Sequence, residues 1–121
     1  MKMLFFSLVL ALIIAGCGKG DDHAPSITVL SPQDNQTFTA GQTVHISASI
    51  LDNSKINVVH VRVTNLNTGV EFIHLEQLAN MTTYQYDQSF MAEAGVNYTI
   101  QVEANNYKGN DTQVYVHVKG Q

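Results

Sequence analysis

Residues 97–104 read Asn-Tyr-Thr-Ile-Gln-Val-Glu-Ala. Tyr98, Ile100, Val102 and Ala104 share one parity, and Thr99, Gln101 and Glu103 share the other. The period is two, not 3.6. That is the signature of a strand with one face in a core and one in water.

The same alternation spreads in both directions. Upstream, Val44, Ile46, Ala48 and Ile50 alternate with His45, Ser47 and Ser49. Val59, Val61 and Val63 alternate with Val58, His60 and Arg62. Ser26–Leu30, Val70–Leu75 and Thr83–Met91 read as further strands, the last with Tyr84, Tyr86, Gln88 and Phe90 on one side. Downstream, Asp111–Val118 places Val114, Val116 and Val118 inward. Between these lie turn-rich segments: Gln33–Gln36, Ala40-Gly41, Asp52–Lys55, Asn65–Gly69, Ala92–Gly95 and Asn105–Asn110. Gly69 is expected at positive φ in a hairpin-like turn. Residues 76–82 show no clear alternation and read as irregular, with room for a short helical turn. About seven short strands with no long helix predict an all-β fold, a sandwich of antiparallel strands over residues 26–119. No internal repeat points to a propeller or solenoid.

The chain has 121 residues, enough for one domain, and 45% of them are apolar. Its single cysteine, Cys17, excludes an internal disulfide and a CxxC metal or redox motif. The first sixteen residues, MKMLFFSLVLALIIAG, give Lys2, an apolar run from Met3 to Ala15 and a small-residue site. That order is a secretory signal, expected as a helix that is then cleaved. The run of about thirteen residues is short for a span, which needs roughly twenty. Removing Lys2 leaves five basic and ten acidic side chains, a formal charge of −5. The basic residues are scattered, which argues against a nucleic-acid partner.

Ile14-Ala15-Gly16-Cys17 resembles the lipobox of bacterial lipoproteins. The resemblance implies cleavage of 1–16, a covalent lipid on Cys17, and a membrane anchor through it. Two or more acyl chains hold stably where one is marginal. Residues 17–25 then form a tether. Lys19, Asp21 and Asp22 look like the Lys-then-acidic export tag of Bacteroidota-type surface lipoproteins, with Gly20 interrupting the usual order. A solvated flexible tether is the other account of the same residues. The implied address is the bacterial outer membrane, facing either the periplasm or the cell surface.

The stretch from Pro25 to Val118 resembles bacterial Ig-like modules. The resemblance is carried by Ile27–Pro32, Ala40–Val44, Leu51-Asp52, Tyr98–Ala104 and Gly109-Asn110. It implies an immunoglobulin-like sandwich. An antibody-type core would hold two cysteines and a tryptophan. Here apolar packing must replace them, with Ile46 or Ala48 expected against Ile100. Tyr98 stands where a tyrosine corner bonds back to the backbone.

No nucleophile elbow, HExxH or phosphate loop is present, so the expected role is not enzymatic. The expected role is a binding or structural module with a protein or glycan partner, or an accessory subunit. The rival from another class is a metal-binding lipoprotein using outward histidines. His60, Glu103 and His117 are the candidate three-ligand metal set, since an Ig-like order puts their strands in one sheet. A backbone separation near 10 Å across two strands is awkward for one ion. His23 lies in the tether and His45 projects outward. Calcium would use Asp52-Asn53 or Asn110-Asp111, residues that turns also need. Otherwise no cofactor is expected. Tyr84, Tyr86, Tyr107 and Tyr115 remain as contact aromatics. Asn-x-Thr triplets at Asn35, Asn80, Asn97 and Asn110 read as chance.

Overall fold

The computed structural model describes residues 23–121. The signal, Cys17, Lys19, Asp21 and Asp22 lie outside the described residues. Six strands are present and the described residues contain no helix. They are β1 (Ser26–Ser31), β2 (Gln36–Phe38), β3 (Thr43–Asn65), β4 (Val70–Met91), β5 (Asn97–Asn106) and β6 (Asp111–Gly120).

β3 and β4 are 23 and 22 residues long, far above the usual five or six. They form one antiparallel ribbon, closed by the Asn65–Val70 turn. Asn65 builds that turn by accepting the Asn67 and Thr68 N–H groups on its side chain and the Gly69 N–H on its carbonyl. Gly69 takes φ 73°, which its missing Cβ permits.

Each long strand belongs to both layers of the sandwich. Residues 43–51 of β3 pair with β1 and with 83–91 of β4. Residues 56–65 pair with 70–81 of β4 and with β5. β6 adds to β5, and β2 adds to β6 in parallel. The ribbon bends where its register shifts, between Leu51 and Val58. Lys55 (φ 70°) and Asn80 (φ 46°) are left-handed at the bend.

Three expectations are corrected here. Residues 52–55 do not end a strand. The Asp52 carboxylate takes the Ser54 N–H at 2.6 Å, and Ile56 resumes pairing with the same partner strand at Met81. The polar run makes a bulge that bends the ladder without breaking it. Residues 76–82 are likewise strand, with no helical turn. The region after Pro32 carries a short edge strand, β2, so one pairing is parallel. Seven separate strands become six because two pairs are fused and one short strand is gained.

The alternation decides the core. Val44, Ile46, Ala48, Ile50, Val59, Val61, Val63, Ile100, Val102 and Ala104 are fully buried, and Tyr98, Val116 and Val118 nearly so. Ile46, Ala48 and Ile100 belong to the same apolar cluster. With strands stacked as two layers around one core and β1-β3-β5-β6-β2 as the ladder path, the fold is an immunoglobulin-like sandwich.

Candidate functional site

Exposed apolar side chains sit at both ends of the sandwich, Leu51, Leu78 and Met81 at the bend and Leu66, Val70, Phe72 and Met91 at the other, and the ends differ in what surrounds them. At the bend end the chain enters. The Asn106 side chain donates to the His23 carbonyl at 2.9 Å, and the Thr112 hydroxyl donates to the Pro25 carbonyl at 2.6 Å. Asn106 also donates to Asp52 at 2.9 Å and accepts the Lys108 and Asn110 N–H groups. Asp52, a calcium candidate by sequence, therefore spends its oxygens on Ser54 and Asn106. Asn110 gives its N–H to this lock, and Asp111 accepts from Gln113.

The opposite end holds an aromatic cluster. Between Val63 and Thr64 the register with β4 shifts, leaving Phe72 as the extra residue. Its ring turns over the end of the core. It meets Phe90 at 5.4 Å and Tyr98 at 5.8 Å, and Phe90 meets Tyr98 at 4.9 Å, all edge-to-face. The Tyr98 hydroxyl accepts the Glu93 N–H at 3.0 Å, five residues upstream. A cleft of about 390 Å³ opens beside this cluster, lined by Asn65, Val70, Phe72, Met91, Glu93 and Tyr98 among others. Val70 is 57% exposed, Phe72 44%, Met91 66%, and Leu66 in the adjoining turn 51%. Turn and rim are pinned together: Asn67 donates to the Gly95 carbonyl and accepts the Asn97 N–H, both at 3.0 Å.

The third region is the outer face of the β4-β3-β5-β6 layer. The expected His60–Glu103–His117 set does not assemble. His60 does face Glu103 across the ladder, but His117 faces Thr99, four residues along β5. His117 is instead held by Asp34, which takes its backbone N–H at 2.8 Å and pairs with Nδ1 at 3.2 Å. Those bonds hold the Asp34 carboxyl below its ordinary 3.8, the backbone bond most. Glu103 is shared between Arg62 (3.9 Å) and Gln113. Gln101 ties Arg62 to Tyr115 at 3.2 and 3.1 Å. On the other layer, beside β1, His45 pairs with Asp87 at 3.3 Å and with Ser89.

Among the tyrosines, Tyr107 and Tyr115 are exposed. Tyr86 is not a contact residue. It is buried in the core, and its hydroxyl has no hydrogen-bond partner among the described residues. Burial raises its pKa, and that of half-buried Tyr84. Sequence reasoning missed the apolar mouth, because only the bulge turns Phe72 inward. It also missed His74, which stands beside Glu71 and Glu76 on its own strand and is brought near His60 only by the β3–β4 register.

A small all-β domain with a polar lock at one end and an aromatic-lined cleft at the other is an immunoglobulin-like module. The chain belongs to the Bacterial Ig domain family, whose profile matches residues 25–104. Among solved structures, it resembles the fibronectin(III)-like modules of CbhA from Clostridium thermocellum. That match has 20% identity over 78% of this chain and 94% of the other, with a TM-score of 0.48. It also resembles the PKD domain of an M14-like peptidase from Thermoplasmatales archaeon SCGC AB-540-F20. Here identity is 11% over 84% of this chain and 98% of the other, with a TM-score of 0.53. No curated protein matches the chain. Bacterial Ig domains are typically non-enzymatic binding or structural modules and are often extracellular.

Proposed function

We propose that this chain is a lipid-anchored, non-enzymatic binding module of a bacterial envelope, held at the outer membrane through Cys17. Its contact surface is the apolar mouth at Leu66, Val70, Phe72 and Met91. The observation that carries this is the aromatic-floored cleft, which lies at the end away from the first described residues. His23 and Pro25 are fixed at the bend end, and the mouth lies at the other end of β5. Ten residues of β5 put roughly 30 Å between the two ends. A module tethered at its first residues would present that mouth away from the membrane. Exposed apolar side chains rimmed by Asn65, Thr68 and Glu93 are the composition of a partner site. Three of the four exposed residues are aliphatic or thioether, which favours apolar side chains of a protein over a sugar ring.

The test is a photo-crosslinking amino acid placed at position 91 in cells, with position 30 on β1 as control. A discrete adduct at 91, lost on Phe72→Ser, is expected. Equal labelling at both positions, or none at 91, rejects the mouth as the contact surface. The anchor is tested separately. Cys17→Ser should leave the protein out of the membrane fraction, and unchanged partitioning rejects the lipid.

A further inference from the structure

On the outer sheet face, away from the mouth, the ladder brings together three residues that the sequence keeps apart. His60 on β3 faces Glu76 on β4 as its direct partner, and His74 lies two residues along β4, opposite Arg62. Side chains two apart on a strand share a face, so His74 and Glu76 stand beside each other across from His60. One ligand atom from each lies within 4.8 Å of the others.

The surroundings give this cluster more than proximity. His74 Nδ1 is 2.6 Å from a Glu71 carboxylate oxygen. With Nδ1–H donating there, Nε2 carries the free lone pair, and the ring is held in place. This carboxylate–histidine arrangement is how proteins orient a metal-bound imidazole. His60 Nδ1 is buried and has no hydrogen-bond partner among the described residues. The nearest cation points elsewhere. Arg62 extends toward β5, where it donates to Gln101 at 3.2 Å and lies 3.9 Å from Glu103. Glu103, the other neighbour of His60, is occupied by Arg62 and Gln113.

We infer that His60, His74 and Glu76 form a binding site for a divalent transition-metal ion, zinc first, with Glu71 as the positioning residue for His74. Two imidazole nitrogens and one carboxylate are a three-ligand zinc set. Calcium and magnesium want an all-oxygen shell, which this site does not offer. Three protein ligands leave one tetrahedral position open on the solvent side. Closing the shell requires bringing the donor atoms to about 2.0–2.2 Å from a common centre. That is a matter of side-chain rotation at exposed Glu76 and half-buried His60, about a His74 ring already oriented by Glu71.

The experiment is calorimetric titration of the full chain in detergent with zinc, in a Cys17→Ser background so that no thiol competes. One ion per chain is expected, with calcium and magnesium giving no heat. His60→Ala and His74→Ala should each weaken zinc by more than about 100-fold, and Glu71→Ala by about 10-fold. His45→Ala and His117→Ala should bind as the parent does. Cobalt in place of zinc should give the visible bands of a four-coordinate ion, lost with His74→Ala. The proposal is overturned if the His60 and His74 variants bind zinc like the parent. It is equally overturned if the His45 or His117 variant abolishes binding, or if the parent takes up no zinc at micromolar concentration. Melting of the metal-free variants checks that each remains folded.

Discussion

Asn106 donates its side-chain amide to the Asp52 carboxylate at 2.9 Å, across 54 positions of sequence, and both residues are buried. This bond joins the bulge of β3 to the turn between β5 and β6. It also takes part in a set that holds the His23 carbonyl and the Lys108 and Asn110 N–H groups. Each group left unpaired in such a place costs about 1–3 kcal/mol. Asn106→Ala is therefore expected to lower the unfolding free energy by about 2–4 kcal/mol. Asp52→Asn, which keeps a hydrogen-bonding side chain, should cost less. Urea denaturation of both variants checks the order, and a loss below 1 kcal/mol for Asn106→Ala would sink the idea.

Tyr98 and Tyr86 predict opposite signs for the same chemical change. Tyr98→Phe keeps the ring cluster and loses the bond to the Glu93 N–H, a cost of about 1 kcal/mol. Tyr86→Phe deletes a buried hydroxyl that has no partner among the described residues. It should be neutral or stabilising, by up to about 1 kcal/mol.

The Tyr86 substitution has a pH signature as well. Burial raises its pKa above the ordinary 10.0. Its neutral form is the one the fold prefers, so this contribution is complete below pH 10 and is lost as pH rises through the raised value. Melting temperatures followed into the alkaline range should fall less steeply for Tyr86→Phe than for the parent. Parallel curves would mean that Tyr86 does not titrate with unfolding.

Asp34 gives the acid counterpart. Its carboxyl is held below 3.8 by the bonds to His117. A depressed carboxyl stabilises above its unfolded pKa and loses that contribution as pH falls through the folded one. Acidification below about pH 4 should therefore weaken the fold, and Asp34→Asn should remove part of that slope. Melting scans from about pH 6 down to pH 2 compare the two.

Gly120, in the last strand, donates its N–H to the Val96 carbonyl at 2.8 Å and accepts the Gly95 N–H at 3.1 Å. A methyl group on it would overlap the Glu93 backbone carbonyl. Gly120→Ala should destabilise by about 1–3 kcal/mol, because backbone must shift to admit it. Gly41→Ala makes the comparison, since its Cβ would meet nothing and only its φ of 82° resists.

What the sequence showed clearly was parity. The residues assigned inward on the β3 halves and on β5 are all buried, because a period of two is set by backbone geometry alone. What it hid was anything that depends on register or on choosing between two uses of one residue type. Asp52, Asn53, Ser54 and Lys55 serve equally as a reversal or as a bulge, and only pairing on both sides of them decides. His117 and Asp34 lie 83 positions apart, so no local pattern announces them. His60 has Glu103 on one side and Glu76 on the other. The sequence favoured the first because it assumed that His117 was near. The extra residue at Phe72 reverses its parity, a displacement invisible until β3 is laid beside it.

The long ribbon of β3 and β4 also implies an order of assembly. Its first pair is closed by the short turn at Asn65–Gly69, and each later pair lengthens an already closed loop by a small step. Loop-closure entropy thus accumulates gradually along the whole ribbon. β1, β2, β5 and β6 must then find a template that already carries a strand of each layer. Nucleation is expected at that turn, with substitutions at Val63 slowing folding and substitutions at Phe38 in β2 speeding unfolding instead. For a sandwich, whose distant pairings ordinarily make folding slow, one continuous hairpin supplies a near-neighbour route.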